Sequence, residues 1–65
     1  MSLYDYEAGQ QLMLADPPFY ALIQAAMRKA DTDNLEKLTW AWPDVWLELQ
    51  ARYHAPGGLL PGEIV

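Results

Sequence analysis

The chain has 65 residues, 52% of them hydrophobic, with no cysteine, one histidine and a net charge of −5. That composition excludes a disulfide framework and a thiolate metal site, and it argues against a disordered chain and against direct nucleic-acid binding, whose affinity comes from neutralised phosphates. One small domain, residues 1–65, is expected, near the size at which only about 60% of the unfolded surface is buried.

Proline and glycine interrupt the chain at Asp16-Pro17-Pro18, at Trp42-Pro43 and from Pro56 to Gly62. Between them the apolar spacing is helical, and no strand-like alternation persists. The predicted fold is all-α, a compact bundle of three to four short helices at about 3–15, 17–30, 34–42 and 43–53. A Pro/Gly-rich tail follows over residues 55–65.

The first helix can be capped by Ser2 or Asp5. Tyr6 and Met13 share one face, and Ala8, Leu12 and Ala15 another. Gly9 weakens the helix by about 1 kcal/mol against alanine. It would also admit a close crossing by another helix. The second helix is predicted to open with Asp16 as cap and Pro17 at its first position. Phe19, Leu22, Ile23, Ala26, Met27 and Ala30 then form one apolar stripe. Arg28 and Lys29 fall in its last turn, at the negative end of the helix dipole.

Asp33 with Glu36 fits a capping box for the third helix, with Asp31 and Thr32 competing for the cap. Leu35, Leu38 and Trp42 form its stripe, and Trp40 falls off it. Pro43 would cost about 3 kcal/mol inside a continuous helix. The chain is therefore expected to break near Trp42 and restart at Pro43. Val45, Trp46, Leu49 and Tyr53 are the predicted buried stripe of the fourth helix, and Glu48 can pair with Arg52 outside it. Trp42 and Trp46 are thus assigned to the core and Trp40 to the surface. Leu59 and Leu60 are expected to fold back onto the helices or onto a neighbouring chain, with Pro56-Gly57-Gly58 making the reversal. Ile64 and Val65 complete the apolar content of the tail.

Catalytic chemistry is not visible. Ser2 is the lone serine, and no glycine loop precedes a helix to cradle phosphate. His54 reads as a helix-end residue. Asp31, Asp33 and Glu36 have cap spacing rather than calcium-loop spacing. Residues 33–53 suggest a helix-turn-helix, but the second helix carries two acids and the single base Arg52, a poor recognition helix. No enzyme activity, metal or cofactor is expected. The acidic first sixteen residues and the short apolar runs also exclude a signal peptide and a membrane span, so a cytoplasmic protein is expected.

From Ala30 onward, "ADTDNLEKL…AWPDVWLELQARYHAPGG" resembles a group of small helical proteins encoded by phages and prophages. The matching positions are Ala30, Asp31, Asn34, Leu38, Trp42-Pro43, Glu48, Arg52-Tyr53 and Ala55-Pro56-Gly57-Gly58. His54 stands where that pattern has asparagine. The likeness implies a bacterial cytoplasm during infection or lysogeny, and a host-directed or phage-assembly role. It implies no catalytic chemistry.

Two functional expectations follow. The first is a non-enzymatic module that binds a protein partner through Trp40, Leu47, Leu59 and Leu60. The second is an acidic mimic of nucleic acid that inhibits a DNA-handling or defence enzyme. Self-association through the first helix or the tail is expected in addition, because so small a chain leaves apolar surface uncovered.

Overall fold

The computed structural model describes residues 1–63; Ile64 and Val65 lie outside the described residues. The fold is all-α, and no strand occurs among the described residues. The helices are α1 (Leu3–Leu14), α2 (Phe19–Lys29), α3 (Thr32–Ala41) and α4 (Pro43–His54), followed by a 3₁₀ turn at Pro56–Gly58.

Each helix start has a local cause. Ser2 caps α1: its Oγ accepts from the Asp5 N–H at 3.2 Å, and Asp5 Oδ2 accepts from the Ser2 N–H at 3.0 Å. This reciprocal pair satisfies two donors that a helix end leaves open. Helix α2 begins at Phe19, two residues later than expected, and no side chain caps it. The physical reason is the second proline. A residue before proline is pushed out of the α region, so Pro18 opposes a helical Pro17, and Pro18 itself (φ −59°, ψ 147°) precedes the helix start at Phe19. Asp16 therefore does not cap α2; it ends the α1 turn in the left-handed region at φ 48°.

The third start also differs from expectation. Asp31, not Asp33, is the cap, accepting from the Asn34 N–H at 2.9 Å, so α3 begins two residues early. The α3–α4 corner is as expected. Trp42 (φ −132°, ψ 66°) belongs to neither helix. Its N–H donates to the Leu38 carbonyl at 2.8 Å and its carbonyl accepts from the Trp46 N–H at 3.1 Å. Pro43 is the first residue of α4, where its missing N–H costs nothing.

Helices α2, α3 and α4 pack on one another, and the 3₁₀ turn packs on α4. The centre of this small core is Met27 (3% exposed) and Leu49 (6% exposed). Leu22, Ile23, Leu35, Leu38, Val45, Trp42 and Trp46 surround them, all half-buried. Phe19 closes one end, edge-on to Trp42 with ring centres 6.2 Å apart. One expected core residue is not there: Tyr53 is 81% exposed. It continues the Trp46–Leu49 stripe into the last turn of α4, beyond the helices that cover that stripe.

Helix α1 packs on no other element among the described residues. It contains no buried residue. The Cα radius of gyration is accordingly 13.9 Å, against about 10.7 Å for a compact chain of this length. No crossing occurs at Gly9 among the described residues, since a Cβ added there would meet nothing within 4 Å. Gly9→Ala should therefore stabilise α1 by about 0.5–1 kcal/mol. A helicity gain in circular dichroism checks this; a loss would mean that another backbone lies against Gly9.

Candidate interaction surface

The α3–α4 corner decides where the rings point. Leu35, Leu38 and Trp42 turn one face of α3 toward α2 and α4. Trp40, two residues from both Leu38 and Trp42, is carried to the outside and is 89% exposed. There it forms part of an open groove with Leu35, Glu36, Thr39, Pro43 and Trp46. The groove is mainly apolar, and Glu36 is its single charged residue. Its walls are fixed by the proline corner and by the half-buried Trp46, so Trp40 is displayed from a stiff part of the fold.

The other partner-binding candidates lie elsewhere. Leu47 is 65% exposed on α4 and does not line this groove. Leu59 and Leu60 are half-buried in the tail. Of the four, Trp40 alone lines this groove. His54 ends α4 and meets Tyr53 edge-on, with ring centres 5.2 Å apart.

The tail is held by a clasp. Arg52 Nη1 donates to the Gly58 carbonyl at 2.8 Å and to Glu63 Oε1 at 2.8 Å, and Nη2 donates to Glu63 Oε2 at 2.7 Å. The Leu60 N–H also donates to Glu63 Oε1, at 2.9 Å. Glu48, the expected partner of Arg52, reaches only its Nε, at 3.6 Å. The bidentate Arg52–Glu63 pair has the better geometry of the two. Gly57 and Gly58 make the reversal at φ 62° and 71°, a region that penalises other residues.

The Arg52 hydrogen bonds, followed by that of Leu60, hold the Glu63 carboxyl down at about 2, from an ordinary 4.5. A carboxyl depressed on folding contributes stability above its unfolded value and loses it as pH falls through the folded value. The clasp should therefore be intact above about pH 4.5 and open progressively toward about pH 2. Amide exchange at Leu60, followed against pH, checks this. Glu63→Gln should abolish the dependence; an unchanged profile would assign it to another carboxyl.

One surface feature is not legible in the sequence: Glu63, separated from Arg52 by eleven residues and a reversal. Helix α1, one of the two segments expected to leave apolar surface uncovered, has Leu3, Tyr4, Tyr6, Leu12, Met13 and Leu14 all exposed. No helix of the described residues is long and apolar enough to cross a membrane. No family model, no curated protein and no solved structure matches the chain.

Proposed function

We propose that this chain is a non-enzymatic protein-interaction module of the small phage or prophage type, acting in a bacterial cytoplasm, with Trp40 as its docking anchor. The observation that carries this reading is the 89% exposed Trp40 ring beside the apolar wall of the α3–α4 corner. An exposed tryptophan on a rigid frame is the residue type most enriched among binding hot spots, because it buries much area and loses few rotamers. The phage setting rests on the sequence resemblance. The partner is a protein with an apolar patch, belonging to the host or to the phage assembly.

The rival is the acidic mimic of nucleic acid. It is supported by the net charge of −5 and by Asp44 and Glu48, which line a shallow groove with Tyr20 and Gln24. Salt separates the two, since screening weakens exposed charge pairs and leaves apolar docking intact. Tagged wild-type and Trp40→Ala proteins are used as bait in a bacterial lysate, at about 0.1 M and about 0.5 M salt. A partner retained at the higher salt and lost by roughly 30-fold with Trp40→Ala is expected. Equal capture by both baits, or capture that disappears with salt, would reject the Trp40 reading.

A further inference from the structure

Helix α1 is a surface without a cover, and the rest of the chain has a groove without an occupant. At twelve residues, with Gly9 inside it, α1 is too short to be stable in water alone. Its apolar side chains do not pack on the bundle. The whole chain exposes 5644 Å², whereas a compact monomer of this size exposes about 4,200 Å². The excess, roughly 1,400 Å², is larger than the ~800 Å² that each partner gives to a standard interface.

The groove lies between α2 and α4, lined by Met27, Arg28, Trp46, Leu49, Gln50 and Tyr53. Met27 and Leu49 form its floor, and the exposed Tyr53 extends its apolar stripe. Its one charged residue is Arg28. One face of α1 runs Tyr4, Glu7, Ala8, Gln11, Leu12 and Ala15, a continuous helical stripe. The one charged residue on that face is Glu7. The alternative groove between α2 and α4, on the side of Asp44 and Glu48, would repel it.

We propose that α1 of one copy docks in the α2–α4 groove of a second copy, reciprocally, with Glu7 facing Arg28, so that the chain is an exchanged dimer. Fold-back onto its own groove is opposed by the linker. Ala15 to Pro18 contains two successive prolines, Pro18 is extended (φ −59°, ψ 147°), and both project α1 away from the bundle. Exchange of a terminal element across a short stiff linker is a low-cost route to a closed two-fold dimer. This groove adjoins the Trp40 groove, with Trp46 lining both, and Gly9 lies off the docking face.

Charge reversal tests the pairing. Light scattering across a concentration series should show a dimer for the wild type. Glu7→Arg and Arg28→Glu should each weaken it by about tenfold or more, since each places two like-charge pairs in the dimer. Mixing the two variants should restore a dimer, because each α1 then meets a groove of opposite charge. Circular dichroism of each variant checks that it is folded. A wild type that stays monomeric overturns the proposal. So does a mixture that remains monomeric, which would mean that Glu7 and Arg28 do not face each other across the two copies. So does a dimer indifferent to both reversals, which would place α1 against another surface.

Discussion

Leu49→Ala is expected to unfold most of this protein at room temperature. Leu49 is 6% exposed and sits with Met27 where α2, α3 and α4 pack together among the described residues. Truncating a buried leucine to alanine costs about 2–5 kcal/mol, the upper range where the site cannot collapse. A domain of this size has roughly 3–10 kcal/mol in total. With no cysteine, and with Met27 and Leu49 the only buried apolar side chains among the described residues, the lower end applies. Met27→Leu, which keeps volume, should cost less than about 1.5 kcal/mol. Thermal melts followed at 222 nm separate the two. A Leu49→Ala protein that melts within a few degrees of the wild type would mean that the stabilising core lies elsewhere, for example at the exchanged α1.

The second large effect is a contrast between two rings six residues apart. Trp46 is half-buried against the α2–α4 core, so Trp46→Ala should cost about 2–3 kcal/mol, below the 3–5 of a fully enclosed aromatic. For a domain of this size that lowers the melting temperature by roughly 10–20 °C. Trp40, 89% exposed, should change stability by no more than about 0.5 kcal/mol. Paired melts decide the assignment. Equal losses would place Trp40 in a packed environment and remove the main support for its role as a docking anchor.

The helices and their corner were legible because each rests on local chemistry. The proline at Pro43 dictates the break at Trp42, and the spacing of Leu22, Ile23 and Met27 dictates a core face. The errors also have local causes. The start of α2 does not follow from Pro17 alone, because Pro18 constrains it. The cap of α3 was ambiguous because Asp31 and Asp33 are both good caps, and only the backbone turn selects between them. Tyr53 falls outside the core because periodicity gives a residue's face and not how far along the helix that face is covered. The Arg52–Glu63 clasp was invisible for a different reason. It needs a chain reversal through three positive-φ glycines, Gly57, Gly58 and Gly62, to bring distant residues together. Among the site candidates, the exposure of Trp40 and Leu47 follows from helical spacing. The separation of Leu59 and Leu60 from them depends on where the tail lies.

The most direct test of Trp40 as an anchor is photocrosslinking from its own position. A photoreactive phenylalanine replaces Trp40 in one protein and, as a control on the acid-lined groove, Glu48 in another. Both are irradiated in a bacterial lysate at about 0.1 M and about 0.5 M salt, across which exposed charge pairs are progressively screened. One discrete crosslinked protein from position 40, present at both salt concentrations and absent from position 48, is the expected result. A crosslink from position 48 alone, vanishing at the higher salt, would contradict it and favour the acidic mimic.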